Sequence, residues 1–345
     1  MKTIVMTGGG TAGHVYPAIA LAEDLKNYKI HFIGSTGIEK EILKNFKNIT
    51  YHEISAVKLV RKFTPKNLLI PFKLLKSIHQ AKKILKEISP NVIFSKGGFV
   101  SVPVAIAGKS LKIPVVSHES DLSMGLANKI ILKRCDYMCT TFLETSKLSK
   151  KCIHTGQPLR KEILHGNPTT FKSKFPNQKP ILLVIGGSLG AQFLNDITQE
   201  NLDKILNKFN VIHICGKNNF KQIEKEGYLQ IEFTNKIEDV FAACDIVLSR
   251  AGAGVINELL ALNKPMLLIP LSRKCSRGDQ IENANLFQKL GYAKVLYEEN
   301  YSKDTLIKNL NTLYKNKAYY LNSMRKANSK NANQKIIDII KKVEK

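Results

Sequence analysis

The sequence lacks any long apolar run and any signal-peptide pattern. No stretch approaches the roughly 18 apolar residues of a membrane-spanning helix. The segment that follows Met1 passes directly into a predicted strand without the hydrophobic region of a secretory leader. We therefore expect a cytoplasmic protein rather than a secreted or membrane-spanning one.

The sequence also lacks closely spaced cysteine pairs. None of its six cysteines belongs to a CxxC pair, and most stand in apolar strand or helix contexts. We therefore expect buried thiols and neither disulfides nor zinc ligands. The histidines outside the candidate site show no metal-ligand spacing either, so no metal site is predicted.

Acidic residues are few relative to basic ones. The chain has 28 Asp and Glu against 53 Lys and Arg, a formal net charge of +25. This excess implies an anionic partner, which could be nucleic acid, anionic lipid or a phosphorylated substrate. The alternative is a general bias toward Lys, Asn and Ile along the chain. Nucleic acid is not expected, because the basic residues lack clustered aromatics and no RNA or DNA module is recognisable.

Two glycine-rich loops each follow an apolar strand near the starts of the two halves of the chain. They are Gly8–Gly13 and Gly186–Gly190. Glycines let the backbone turn sharply and bring N–H groups to an anion, and the helices predicted from Tyr16 and Gln192 add the positive ends of their dipoles. The pattern indicates two phosphate-facing domains.

Neither loop matches the common nucleotide signatures. Gly8, Gly10 and Gly13 have GxGxxG spacing, but the dinucleotide pattern also needs an acidic residue after the second strand, where this chain has Gly-Ser-Thr at 34–36. Neither loop ends in Gly-Lys-Ser/Thr. NAD binding and P-loop NTPase chemistry are therefore disfavoured.

Length and strand pattern predict two α/β domains. Single cores stop growing at roughly 250–300 residues, and near-continuous apolar runs that alternate with helices indicate doubly wound parallel sheets. The predicted strands are Ile4–Thr7, Ile30–Ile33, Val92–Phe94, Val115–Ser117, Tyr137–Thr141, Ile181–Ile185, Val211–Cys215, Ile231–Phe233, Ile246–Leu248 and Met266–Ile269. We expect domains over 1–159 and 160–321, with a helix over about 322–345 that packs back on the first. Both glycine loops should face one cleft between the domains.

An ordered set of motifs resembles the MurG family, the peptidoglycan transferases that add N-acetylglucosamine (GlcNAc) to a lipid-linked muramyl-pentapeptide. The motifs are Gly8–His14, Gly97–Pro103, His118-Glu119, Gly125–Lys129, Thr155–Arg160, Gly186–Ala191 and Ser249–Ala284. The resemblance implies the GT-B fold, two Rossmann-like domains facing an inter-domain cleft. It implies inverting transfer from UDP-GlcNAc to undecaprenyl-diphosphate-MurNAc-pentapeptide, which converts lipid I to lipid II. A UDP-GlcNAc epimerase or a non-catalytic UDP-sugar-binding scaffold is the alternative.

The resemblance also implies which residues bind UDP-GlcNAc. Ser188 matches a diphosphate contact, Gln280 a sugar-hydroxyl contact, and Glu258 the ribose segment, where the alternative is a solvated glutamate at a helix start. The full set is Thr11, Ala12, Gly13, Arg160, Ser188, Thr234, Ala253, Gly254, Val255, Glu258 and Gln280. The family's His-Glu-Gln-Asn run appears here as His-Glu-Ser-Asp at 118–121, a departure that weakens any role carried over to Asp121.

The chemistry of inverting transfer requires a base for the incoming hydroxyl and stabilisation of the leaving diphosphate. The chain contains no Asp-x-Asp metal motif, so the amides of Gly186–Ala191, a helix dipole and Arg160 are expected to act without metal or other cofactor. His14, at a helix N-terminus, is the candidate base. It could instead cap the helix or bind the acceptor diphosphate, and His118 and Glu119 are the competing bases.

A further segment mixes bulky apolar residues with lysines and few acids. It comprises Val57–Phe63 and Leu68–Ile78. Such a surface suits an anionic bilayer, although an ordinary core-packing helix with a lysine face would show the same pattern. With a lipid-linked acceptor, we expect a peripheral protein on the cytoplasmic face of the cell membrane.

Overall fold

The chain divides into two compact units. The computed structural model describes residues 1–56, 70–187, 190–327 and 331–345. The first unit comprises Met1–Arg160 with Lys330–Lys345, and the second comprises Lys161–Ser329. Each unit contains one parallel sheet with helices, which confirms the predicted α/β class.

The first unit is built on a sheet of seven described strands. They are β1 (Lys2–Thr7), β2 (Tyr28–Gly34), β3 (Ile49–Glu53), β4 (Val92–Ser95), β5 (Val115–Glu119), β6 (Tyr137–Thr140) and β7 (Cys152–His154). Their order is β3-β2-β1-β4-β5-β6-β7, so the winding reverses between β1 and β4. Fully buried Met6 pairs with both Phe32 and Phe94 at this centre. Ligands of such sheets bind at the carboxyl ends of the strands beside this switch point.

Helices cover both faces of the first sheet. They are α1 (Ala12–Asp24), α2 (Ile38–Leu43), α3 (Ile70–Ile88), α4 (Ser101–Ser110), α5 (Leu126–Leu132), α6 (Leu143–Ser146) and α15 (Ala332–Val343). Ile19 of α1 and Ile336 of α15 pack in one buried cluster, and Leu85 of α3 and Val104 of α4 pack in another. Burial on both faces explains the apolar runs of the central strands.

The second unit repeats this order. Its described strands are β8 (Ile181–Ile185), β9 (Asn210–Ile214), β10 (Tyr228–Ile231), β11 (Ile246–Ser249), β12 (Met266–Leu268) and β13 (Ala293–Val295). They lie in the order β10-β9-β8-β11-β12-β13, with the switch point between β8 and β11. The helices are α7 (Thr169–Lys172), α8 (Gln192–Glu200), α9 (Leu202–Leu206), α10 (Ile237–Ala243), α11 (Ala253–Ala261), α12 (Asp279–Lys289), α13 (Lys303–Lys315) and α14 (Lys317–Arg325), with 3₁₀ turns at Lys161–His165 and Glu298–Asn300.

The strand predictions fail at the sheet edges. The strand predicted at Ile231–Phe233 is wrong in position, because β10 runs over Tyr228–Ile231, and β3, β7 and β13 were not predicted. All four are edge strands. An edge strand does not need an apolar run: in β3 only Ile49 is buried. The pattern that reveals central strands is therefore missing there.

Candidate active site

The first glycine loop is closely packed at the carboxyl end of β1. Gly10 has φ +85°, and a Cβ on it would lie 2.8 Å from the Phe99 ring. The helix α1 begins at Ala12 and not at the predicted Tyr16, since the His14 N–H donates to the Thr11 carbonyl over 3.1 Å. His14 thus lies in the first helical turn, half-buried, while Thr11 and Gly13 are exposed.

The contacts of His14 fix its tautomer. Its Nδ1 lies 2.8 Å from the carbonyl oxygen of Gly9, and a carbonyl can only accept, so Nδ1 carries the proton. Nε2 then holds the lone pair and has no hydrogen-bond partner among the described residues. Burial lowers the pKa of His14; the Gly9 hydrogen bond opposes this shift, and the Lys96 ammonium reinforces it. The ring is therefore a neutral proton acceptor at Nε2.

The ring of His118 is occupied on both sides. Its Nε2 donates to the Gly156 carbonyl over 2.9 Å, and its Nδ1 accepts from the Lys96 ammonium over 2.8 Å. Burial, and after it the Lys96 charge, hold the pKa of His118 well below its ordinary value. This arrangement leaves no ring nitrogen to accept a proton from a substrate and favours a supporting role.

The carboxylate of Glu119 organises the loop that follows β5. Oε1 accepts from the backbone N–H of Asp121, and Oε2 accepts from that of Gly125, each over 3.0 Å. The Asn128 side-chain amide donates to Oε2 over 2.9 Å. With only 4% of the residue exposed, these contacts favour a structural role and leave His14 as the leading candidate base.

Sequence reasoning missed Glu39 beneath the first glycine loop. This fully buried residue accepts from the Ser35 N–H over 2.9 Å and from the Gly10 N–H over 3.3 Å. A Cβ on Gly9 would lie 2.7 Å from its carboxylate. The only signal in the sequence is an acidic residue soon after the glycine-rich stretch at 34–37, which does not reveal burial.

Arg160, predicted to contact the donor, belongs to the first unit. Its guanidinium lies over the Tyr16 ring, 4.8 Å from the centroid. Its Nε is buried without a hydrogen-bond partner among the described residues. Since a buried donor without an acceptor is unfavourable, this N–H suits an anionic ligand.

The second glycine loop follows β8 and also requires glycine. Gly190 has φ +75°, and a Cβ on it would lie 2.0 Å from the carbonyl oxygen of Cys215. Asn195 of α8 donates to the same carbonyl over 3.0 Å and contacts His213 Nε2 over 2.9 Å, so buried polar contacts hold the helix that follows the loop. Ser188, the predicted diphosphate contact, lies outside the described residues.

The other residues of the second unit that are predicted to bind UDP-GlcNAc follow the carboxyl ends of its strands. Ala253, Gly254, Val255 and Glu258 lie on α11 directly after β11, and Thr234 follows β10. Because the strands are parallel, these ends share one edge of the sheet.

Side-chain hydrogen bonds hold the loops and helices at this edge of the sheet in place. Asn257 donates to the Ala253 carbonyl over 2.8 Å, and Asn283 of α12 donates to the Ala251 carbonyl over 3.2 Å. Gln280 accepts from the Leu271 N–H over 3.1 Å through its side-chain oxygen. The Gln280 amide nitrogen is thereby oriented as a donor, as a sugar-hydroxyl contact would need.

A partly buried ion pair beside this edge was also missed. Arg250, directly after β11, contacts Glu298 Oε1 over 2.6 Å and donates to the Ile269 carbonyl over 3.1 Å. Its guanidinium lies 5.6 Å from the ring centroid of Phe193 on α8. Arg250 therefore links the ends of β11 and β12 to the helix behind the second glycine loop.

Within the described ranges, no group of three or more His, Cys, Asp or Glu side chains could hold a metal ion. The expectation of a metal-free reaction stays a prediction.

The two parallel-sheet units have the GT-B fold, and two family models identify the class as glycosyltransferases. The glycosyltransferase family 28 N-terminal domain matches residues 4–140, and the family 28 C-terminal domain matches residues 181–341. Within this class the chain belongs to the MurG family, as its sequence motifs predicted.

Individual relatives support this assignment along the whole chain. The chain is 52% identical over 355 residues to a Clostridium botulinum protein named UDP-N-acetylglucosamine–N-acetylmuramyl-(pentapeptide) pyrophosphoryl-undecaprenol N-acetylglucosamine transferase, with 100% of both chains covered. A Clostridium tetani protein of the same name is 50% identical, with 99% of this chain and 98% of the relative covered.

Solved structures show the fold alone. Acinetobacter baumannii MurG superposes with a TM-score of 0.77 at 24% identity, covering 99% of this chain and 100% of that one. UDP-GlcNAc 2-epimerase from Neisseria meningitidis has a TM-score of 0.67 at 14% identity, with 99% and 100% covered. The epimerase thus shares the architecture at much lower sequence similarity than the clostridial transferases.

Proposed function

We propose that this chain transfers GlcNAc from UDP-GlcNAc to the muramyl sugar of undecaprenyl-diphosphate-MurNAc-pentapeptide, with inversion at the anomeric carbon. This reaction converts lipid I to lipid II in peptidoglycan synthesis. Full-length relatives that carry this activity in their name, at 50–52% identity, support the assignment. The observation in the structure that carries the chemistry is the neutral His14 ring with its Nε2 lone pair available.

The reaction needs one proton acceptor and one stabilised leaving group. The acceptor hydroxyl oxygen forms a bond to the anomeric carbon of GlcNAc while the bond from that carbon to the UDP oxygen breaks. His14 Nε2 takes the hydroxyl proton, and the electron pair of the broken bond leaves with UDP.

The charge on departing UDP requires preorganised donors. In the second unit, the N–H groups of the loop over 186–191 and the N-terminus of α8 supply them. Contacts to UDP-GlcNAc by the predicted residues remain proposals: Ser188, Thr234, Ala253, Gly254, Val255, Glu258 and Gln280 in the second unit, and Thr11, Ala12, Gly13 and Arg160 in the first.

Transfer of labelled GlcNAc to a short-chain lipid I analogue tests the proposal. We expect labelled disaccharide product only when acceptor is present, at the same rate with and without EDTA. Loss of activity in EDTA would contradict the metal-free part of the account. Conversion of UDP-GlcNAc in the absence of acceptor would instead favour the epimerase alternative.

The helix α3 supports the proposed membrane surface. Its Ala81 and Leu85 are buried, whereas Phe72 and Leu75 are 71% and 64% exposed. Exposed Lys73 and Lys76 lie beside them. A helix that only packed against the core would bury its large apolar residues, so this surface suits the headgroup region of an anionic bilayer.

Other parts of the predicted membrane segment give less information. Val57–Phe63, Leu68 and Leu69 lie outside the described residues, and Ile70 is half-buried. No helix in the described ranges has both the length and the apolarity needed to cross a bilayer.

We predict that Phe72→Ser with Leu75→Ser, or Lys73→Glu with Lys76→Glu, weakens binding to anionic vesicles. Each lysine near an anionic surface contributes about 1 kcal/mol, so the double charge reversal should lower vesicle affinity by at least about tenfold. High salt should weaken the lysine contribution and spare the apolar one. Vesicle co-sedimentation measures the binding.

Matched changes in the second unit serve as controls. Phe220 and Leu290 are 51% and 44% exposed, and Lys303 and Lys308 are exposed on α13. The corresponding Ser and Glu variants should bind vesicles like the wild type. Turnover of the short-chain soluble acceptor should persist in every variant, and simultaneous loss of that turnover and of vesicle binding in the α3 variants would refute the membrane surface.

A further inference from the structure

A lysine is fully enclosed at the carboxyl end of β4, beside the candidate base and its neighbours. Lys96 is only 1% exposed. It directly follows the buried strand β4 and precedes two glycines. Its backbone N–H donates to the Thr7 carbonyl over 2.8 Å, which fixes it beside the end of β1. Lysine is almost never fully buried unless it is paired.

The Lys96 ammonium joins several elements of the first unit. It donates to His118 Nδ1 over 2.8 Å and to the Ser120 hydroxyl. His118 Nε2 in turn donates to the Gly156 carbonyl, and the Ser120 hydroxyl donates to Gln157 Oε1 over 3.1 Å. One side chain therefore connects the end of β4, the end of β5 and the segment that follows β7.

The charge of this ammonium has no direct counter-ion among the residues that the structure describes. Lys96 takes part in none of the ion pairs between described residues. Burial lowers the pKa of Lys96 to about 8, while Glu119, Asp121 and Cys139 oppose the shift. The side chain thus stays mainly protonated at neutral pH. An isolated buried charge is unfavourable for folding, and strongly perturbed titratable groups cluster at functional sites.

Lys96 also lies against the first glycine loop. A Cβ on Gly8 would be 3.1 Å from Lys96 Cβ and 3.0 Å from the His14 carbonyl oxygen. His14 is acted on by three charged groups: Lys96 disfavours its protonated form, and Glu119 and Asp121 favour it. Glu119 and Asp121 are both negative, so the positive charge of Lys96 is what opposes their effect on the protonation of His14.

We propose that Lys96 is a positioning residue for the transfer reaction: its buried ammonium holds His118 and Ser120 at the carboxyl end of β5 and keeps the nearby His14 ring in its proton-accepting form. The reaction named here rests on the proposed function, but the effect on His14 does not.

Histidine NMR titration of the protein without substrate tests the proposal. In Lys96→Met the positive charge is gone, so the pKa of His14 should rise, because this ammonium disfavours the protonated ring. Ser120→Ala removes one partner and keeps the charge, so His14 should titrate as in the wild type. Lys151→Met is the matched control, because that lysine in the same unit donates to the Cys135 carbonyl over 2.7 Å.

The wild-type protein supplies a second readout that needs no substitution. The Lys96 Cε resonance should titrate with a midpoint near 8, and the nitrogen shifts of His118 should change at the same pH. An unshifted His14 titration in folded Lys96→Met, or a wild-type Lys96 that titrates like an exposed lysine, would overturn the proposal.

The pH dependence of turnover then connects the proposal to the reaction. The acid limb of kcat/KM should move to higher pH in Lys96→Met by the same amount as the His14 titration. A variant that only loses structure would turn over more slowly with an unmoved limb. A wild-type protein that binds UDP-GlcNAc and transfers nothing would refute the proposed function while leaving the NMR result intact.

Discussion

Replacing His14 by alanine is expected to lower kcat by about 100-fold or more, the range of lost general-base catalysis. The ring is fixed by the Nδ1 contact to Gly9 over 2.8 Å, which leaves Nε2 as the acceptor. Alanine removes that acceptor and leaves the glycine loop in place. Steady-state kinetics with a short-chain acceptor measure the effect, and UDP affinity should change little.

The pH dependence of kcat/KM provides a second test of the role of His14. Burial lowers the pKa of His14, so wild-type kcat/KM should fall only below the ordinary histidine value of about 6.5, as Nε2 becomes protonated. The His14→Ala profile should lack this limb. His154→Ala is the matched control in the same unit, because its ring is hydrogen-bonded to the Thr141 carbonyl over 3.2 Å, away from the first glycine loop. Near-normal turnover of His14→Ala would transfer the base role to Glu119 or His118.

Replacing Glu258 by alanine is expected to raise KM for UDP-GlcNAc and to leave kcat at saturating donor nearly unchanged. If this half-buried carboxylate on α11 holds ribose hydroxyls equally in the ground and transition states, its loss removes uniform binding. Hydrogen bonds to a charged group contribute roughly 2–3 kcal/mol, so KM should rise by about 30-fold or more.

Two further variants sharpen the Glu258 test. Glu258→Gln keeps one oxygen acceptor and should give an intermediate KM. Glu299→Ala removes an exposed glutamate of the same unit and should match the wild type. An unchanged KM in Glu258→Ala would count against the ribose assignment.

The centre of each sheet could be predicted from the sequence, and its edges could not. Strands such as β1 and β8 are buried on both faces, so their apolar runs and the glycines that follow them are visible in the sequence. The edge strand β3 has the sequence Ile-Thr-Tyr-His-Glu, in which four of five side chains are at least partly exposed. Its pairing with β2 is set by tertiary contacts that no local pattern records.

The residue types of the candidate site could be predicted from the sequence, but the role of each residue could not. The sequence favoured His14 as the base and left His118 and Glu119 as competitors. Only the hydrogen bonds show that both nitrogens of His118 and both oxygens of Glu119 already have partners. Lys96 resembles any of the chain's many surface lysines until the fold buries it.

The anomeric configuration of the transferred sugar tests the central claim most directly. Wild-type protein is incubated with UDP-GlcNAc and a short-chain lipid I analogue, and the proton coupling at the new glycosidic carbon is measured by NMR. Direct displacement assisted by His14 predicts a β-linked disaccharide formed only in the presence of acceptor. An α-linked product, or consumption of UDP-GlcNAc with no new glycosidic bond, would contradict the account.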